Sequence, residues 1–215
     1  MFAQESTRAA LLSKAGPLAL TTGILITAAQ LVMWPFDTDD HVATSQSVVF
    51  QVAGAVYFIA FCLLLLTLVL AFAWQAPEAG KLGVAGVTVA AIGTMALGGD
   101  LWFESFAVPW IADEAPSAFN TDPTLVLALG AVASYLLFAI GWALFGLASL
   151  RAGVFPRSIC LAIIVGGLLG YSALLAPFGV PLGLAIIWLG VWMIRTPFEV
   201  EATSSTGTQP HVPIP

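Results

Sequence analysis

The sequence predicts an all-α polytopic membrane helix bundle with six transmembrane helices and both termini in the cytoplasm. Three observations predict it. Hydrophobic residues make up 60% of the 215-residue chain and charged residues 8%, whereas a soluble domain carries about one quarter charged residues. A chain this apolar cannot keep its whole surface wetted, so much of that surface must face lipid. Its apolar residues fall in runs long enough to cross a hydrocarbon core of about 30 Å, which takes roughly 20 helical residues. Finally, when those runs are threaded alternately through a bilayer, every Lys and Arg lands on the same side.

The spans follow in order. The first is 17–35, the second 47–74, the third 82–106 and the fourth 123–150. The last run, from Ser158 to Ile194, is too long for one helix and is interrupted by the turn-forming stretch Pro177-Phe178-Gly179-Val180-Pro181. It reads as two short spans, 158–176 and 178–195. Asp122 before Pro123 has the chemistry of an N-cap followed by proline at the first helical position, and Pro156 before Arg157 marks the start of the fifth span in the same way. A closed β-barrel is the other spanning solution, but it needs alternating polarity, and Cys62 to Ala73 shows none. Together, 1–198 form a single transmembrane domain. Arg8 to Leu12 suit a short cytoplasmic interfacial helix. The segment 199–215, rich in Ser, Thr, Gly and Pro, is expected to be a disordered cytoplasmic tail. No internal repeat of the kind that marks many transporters is evident.

Orientation rests on the positive charges. Arg8, Lys14, Lys81, Arg151, Arg157 and Arg195 all fall inside, and Asp37, Asp39, Asp40, Asp113, Glu114 and Asp122 fall outside. Trp34, Trp74, Trp102 and Trp110 lie near the interfaces, as aromatic belts do. An alternative reading of the first span is a cleavable signal with Thr27-Ala28-Ala29 at its cleavage site, which would leave five spans. Against it, the apolar run continues through Leu31, Val32 and Met33.

Composition excludes several functions. No basic stretch suits nucleic acid. Cys62 and Cys160 stand alone inside apolar runs and read as small hydrophobes rather than a disulfide or metal pair. His41 and His211 lie outside the runs, which argues against a bis-histidine haem and against an intramembrane Ser–His protease. No cofactor and no metal site is expected.

Acidic residues inside a span are functional candidates because they are expensive to place there. Asp100 and Glu104 are the two in this chain, four residues apart and therefore on one helix face. Counting from Leu82 at 1.5 Å per residue puts them about 27 and 33 Å along, at the outer boundary. There the bland reading is a pair of hydrated interfacial carboxylates. The functional reading adds Gln30, Gln51, Tyr171 and Ser172 at similar depth, lining a cavity open to the outside. Trp102 to Trp110 would form the rim of that cavity. Each glutamine also has a plain reading as a helix–helix hydrogen bond. Pro109 should kink or end the helix, and Ile111 to Thr121 would then fold back as a lid. In the inner half the polar residues are mostly hydroxyls (Thr21, Thr22, Thr67, Thr88 and Ser149), which bond to their own helices. This disfavours a continuous water path. The GxxxG spacings at Gly166/Gly170 and Gly179/Gly183 predict close helix packing within the bundle, with a homodimer contact as the alternative. Membrane lipid is the other expected partner.

From Leu144 the chain reads LFGLASLRAGVFPRSICLAIIVGGLLG. An arginine-bearing loop, a Pro-Arg pair, a Gly-rich helix and a short hairpin follow one another. This last third resembles small, uncharacterised multi-pass bacterial membrane proteins of the actinobacterial type. The resemblance implies the bacterial cytoplasmic membrane and supplies no activity and no catalytic residue. Three functions stand. The leading one is a non-enzymatic module that binds a lipid, small ligand or partner through an outward-facing polar and aromatic pocket. The second is a proton- or cation-linked transporter using Asp100 and Glu104. The third is a membrane enzyme at the outer interface, in which Asp37, Asp39, His41 or Asp113 folds over the acidic pair.

Overall fold

The computed structural model describes residues 10–38 and 40–196, and among these there is no β-strand. Of the interfacial helix expected at Arg8 to Leu12, residues 10–12 are helical and Arg8 and Ala9 lie outside the described residues, and the expected disordered tail lies wholly outside them. The helices are α1 (Ala15–Met33), α2 (His41–Gln46), α3 (Val48–Trp102), α4 (Val108–Glu114), α5 (Leu125–Ala152), α6 (Arg157–Leu169) and α7 (Val180–Arg195). Three helical stretches are long and apolar enough to cross a membrane: Ala10–Phe36, Val48–Glu114 and Leu125–Ala152.

The 55-residue α3 is two limbs joined by a reversal. Gly80 leaves the helix at φ 55, ψ −161, a conformation that glycine adopts without penalty. Three residues earlier, Pro77 has no N–H to give to the helical ladder. The limbs 48–79 and 81–102 then run back along each other. The ring of Phe58 meets that of Phe106, 6.1 Å away and nearly perpendicular. Phe61 lies beside Gly98, and Phe72 beside Gly83. A run that length alone would make one helix is thus a hairpin whose turn falls between the expected second and third spans.

The other pairings are antiparallel too, and small residues set them. Gly16 and Gly23 of α1 abut Ile194 and Gly183 of α7. Gly86 and Gly93 of the second α3 limb abut Leu144 and Leu137 of α5, while Gly146 of α5 abuts Cys160 and Ile164 of α6. Without a hydrophobic drive between helices in lipid, such close approach supplies the dispersion contacts that hold them together. Gly166 packs on Leu182 and Gly183 on Thr27, so the GxxxG residues are used inside the bundle. Down its centre runs an aromatic stack. Tyr57 meets Phe61 edge-on at 5.1 Å, Phe61 stacks on Phe138 at 5.4 Å, and Trp142 meets Phe145 at 5.8 Å. Polar groups in this region pair with each other: Trp142 Nε1 donates to Thr94 Oγ1 at 3.0 Å, and the Thr22 and Thr67 hydroxyls are 3.1 Å apart.

Several boundaries differ from expectation. The N-cap of α5 is Thr124, whose hydroxyl accepts from Leu127 N, rather than Asp122. A cap must reach the N–H groups of the first turn, and here Thr124 is the residue adjoining it. The helix α6 ends at Leu169 instead of reaching residue 176, with a 3-10 turn at Gly170–Ser172 and an irregular connection up to α7. Pro109 does not end the helical path. It sits in the first turn of α4, directly after a π-helical turn at Phe103–Ala107.

Chain direction alternates through these pairings, so the exposed charges sort to two ends. Lys14, Lys81, Arg151, Arg157 and Arg195 lie at one end with Glu78, and Asp37, Asp40, His41, Asp113, Glu114 and Asp122 at the other.

Candidate functional site

At the acidic end a cavity of about 350 Å³ opens between α2, the α3–α4 junction and α5. Its roof is built by local chemistry. Asp40 caps α2 by accepting from Ala43 N at 3.1 Å. Gln46 Nε2 donates to Asp113 Oδ1 at 3.0 Å and so ties α2 to α4. The short 3-10 helix Pro116–Asn120 follows α4 and brings Phe119 to the cavity wall; helix α4 runs on to Glu114, so the irregular stretch begins after that residue and not at Ile111 as expected.

The floor is a π-helical turn, Phe103–Ala107. Its cause lies one turn onward. Pro109 has no N–H for the Ser105 carbonyl, and its ring crowds that carbonyl, so the backbone widens there. π-turns are rare and often occur at functional sites. The widening sets Glu104 and Ser105 on the cavity together. Ser105 is only 8% exposed and faces Gly54, where any β-carbon would come 2.7 Å from its hydroxyl. Opposite stand Asp37 and His41 from the α1–α2 connection and Tyr135 from α5. His41 is within electrostatic reach of Glu104. One oxygen of Asp37 accepts from Ala176 N at 3.2 Å. By contrast, Glu104, Ser105 and the Tyr135 hydroxyl make no hydrogen bond among the described residues. Of these, Ser105 is buried, Tyr135 half-buried and Glu104 exposed; buried polar groups are almost always partnered, so the Ser105 hydroxyl calls for an explanation.

The structure separates the residues that the sequence grouped. Of Asp100, Glu104, Gln30, Gln51, Trp102, Tyr171 and Ser172, Glu104 alone lines the cavity. Gln30 is fully buried, and both ends of its amide are occupied: Nε2 donates to Ala173 O at 2.9 Å and Oε1 accepts from Gly179 N at 3.1 Å. Its expected place on the cavity wall is therefore corrected, because it serves the turn between α6 and α7. Gln51 donates to Ser45 O at 2.9 Å and stitches α3 to α2. Asp100 is half-buried beside Ser134, with its Oδ2 shielded and unbonded. Trp102 faces an apolar groove between the α3 limbs that also holds Cys62. Tyr171 is exposed and meets the Tyr135 ring at 6.1 Å, while Ser172 is half-buried in the 3-10 turn.

Of the loop residues expected over the acidic pair, Asp37 and His41 reach the cavity and Asp113 is engaged with Gln46. Asp39 lies outside the described residues. Sequence reasoning passed over Tyr135. The available signal for Tyr135 was a phenol inside an apolar run, whose polar tip needs a partner. Ser105 and Phe119 entered it only as members of the expected rim, Trp102 to Trp110, and lid, Ile111 to Thr121; what singles them out is the π-turn and the 3-10 helix. Among the described residues, no group of three or more His, Cys, Asp and Glu is arranged to hold a metal ion.

Comparison of the chain with protein-family models, curated proteins and solved structures finds no match.

Proposed function

We propose that this chain is a six-span protein of the bacterial cytoplasmic membrane, with both termini inside, that binds a small ligand or lipid through the cavity at its acidic outer end. The observation that carries the binding reading is the buried, unpartnered Ser105 hydroxyl on a cavity that it shares with the half-buried Tyr135 and the exposed Glu104. Leaving a buried polar group unbonded is unfavourable unless a visiting molecule bonds it. Apolar lining from Met33, Leu101 and Leu174 beside these residues suits a ligand with a nonpolar portion. Below the cavity the aromatic stack from Tyr57 to Phe145 is closely packed, which favours a binding module over a carrier with a path through the membrane.

Native mass spectrometry of protein released from lipid nanodiscs tests the binding reading. A retained adduct is expected on the native protein and is expected to be lost from the Glu104→Gln/Tyr135→Phe double variant. No adduct, or equal adducts on both proteins, would overturn it.

Two features support the orientation: basic residues gather at one end, and cytoplasmic ends carry the Lys and Arg of membrane proteins. In a Cys62→Ala/Cys160→Ala background, Thr121→Cys should react with a membrane-impermeant maleimide on intact cells. Ser158→Cys should react only after the membrane is opened. The reverse pattern would invert the topology.

A further inference from the structure

Resting on that binding reading, we infer that the cavity takes a primary ammonium group carried on a short nonpolar stem. Four features select this chemistry. First, the cavity wall carries two carboxylates, Glu104 and Asp37, against one imidazole, His41, and the described Lys and Arg residues all lie at the opposite end of the bundle. Acidic groups outnumber the basic one, so the wall favours a cation over an anion. Second, each group without a hydrogen-bond partner among the described residues can accept one: a carboxylate at Glu104 and the hydroxyls of Ser105 and Tyr135, which can also donate. A primary ammonium has three N–H donors and no acceptor, so three acceptors on one wall match it. A quaternary ammonium has no N–H and would leave all three unbonded. Third, one of these acceptors is itself more than nine-tenths buried. Ser105 is 8% exposed, and its position is dictated by the π-turn and by Gly54, whose missing side chain leaves room for it. Fourth, the aromatic side chains of Phe50, Phe103, Phe119 and Tyr135 line the same cavity. Aromatic faces attract a cation and also accept an alkyl stem.

The cavity sits at the outer membrane surface, so a primary ammonium could arrive from two sources. It could be the headgroup of an aminolipid such as phosphatidylethanolamine, with its tail in the bilayer, or it could be a free amine from solution. The recognition chemistry is the same.

The test uses the full-length protein in phosphatidylglycerol nanodiscs, titrated calorimetrically with n-butylammonium, n-butanol and n-butyrate. Saturable binding of n-butylammonium is expected, with binding of n-butanol at least about tenfold weaker and of n-butyrate undetectable. One charge-assisted hydrogen bond supports a discrimination of that size. Glu104→Gln should weaken n-butylammonium by about tenfold or more while leaving n-butanol unchanged, which separates loss of the charge contact from loss of the fold. Tyr135→Phe should weaken it by a smaller factor. Repeating the titration in phosphatidylethanolamine nanodiscs identifies the source. Apparent affinity falls if the lipid headgroup already occupies the cavity and stays the same if the ligand is a free amine, and both outcomes support the ammonium site. If n-butanol or n-butyrate binds as tightly as n-butylammonium and Glu104→Gln has no effect, the ammonium inference fails while the cavity remains a binding site. If none of the three probes binds saturably in either lipid, the binding reading fails with it.

Discussion

Gln30→Leu is expected to lower the stability of the folded bundle by about 2–4 kcal/mol, even though leucine fits an apolar span better than glutamine does. The reason lies in the connection between α6 and α7. Buried irregular backbone needs protein groups for its hydrogen bonds, and here Gln30 supplies them. Its Oε1 accepts the Gly179 N–H and its Nε2 donates to the Ala173 carbonyl. Tyr57 also donates to that carbonyl, at 3.0 Å. Leucine leaves Ala173 O with Tyr57 but leaves the Gly179 N–H with nothing. An orphaned buried donor costs about 1–3 kcal/mol, and the lost bond adds about 1 kcal/mol. Tyr57→Phe makes the matched comparison. Gln30 still serves the carbonyl, so a loss of only about 0.5–1.5 kcal/mol is expected. Reversible unfolding in mixed micelles, followed by tryptophan fluorescence, measures both. A Gln30→Leu protein as stable as the native one would mean that water, not Gln30, satisfies the turn.

Gly141→Ala and Gly93→Ala should each destabilise the bundle by at least about 2 kcal/mol, although alanine is the better helix former. A β-carbon on Gly141 would lie 2.4 Å from Ala90 N and Cα, and one on Gly93 would lie 2.4 Å from Leu137 C and Phe138 N. These neighbours are backbone atoms, which cannot rotate aside. The second α3 limb and α5 would have to part by roughly 1 Å, and dispersion contacts fall off steeply over that distance. The control variants lie on the same two helices. Gly99 and Gly130 have nothing within 4 Å of an added β-carbon, so alanine there should be neutral or stabilising by up to about 1 kcal/mol. If all four variants behave alike in the same unfolding assay, helix propensity rather than close approach sets the stability.

The two glycine pairs show where sequence reading reaches its limit. Glycines in this chain stand out only as small residues in apolar runs, and motif spacing singles out Gly166/Gly170 and Gly179/Gly183. Gly93 and Gly141 belong to no such spacing, yet they touch backbone directly, because contact depends on which helix is the neighbour. Gln30 and Asp100 make the same point. Both were legible as polar residues out of place in a span, and depth alone put them together. Rotation about the helix axis then sent Gln30 inward to a turn 143 residues away in sequence and turned Asp100 toward Ser134.

By itself, the sequence determined that this chain is helical, that it has helices suited to a bilayer, that its last apolar run is broken, and that its charges divide between two ends. Each of these follows from local composition and length, because a bilayer imposes one thickness and forbids unsatisfied backbone whatever the neighbours are. Tertiary structure alone decided which polar side chains meet. The cavity depends on the π-turn below Pro109, on the fold-back that carries Phe119, and on the pairing that brings Tyr135 of α5 beside Glu104. The π-turn has a local cause in Pro109, but the contact of Tyr135 with the Glu104 region joins segments far apart in the chain, and its geometry is set by helix rotation and close packing, which no local pattern of residues encodes.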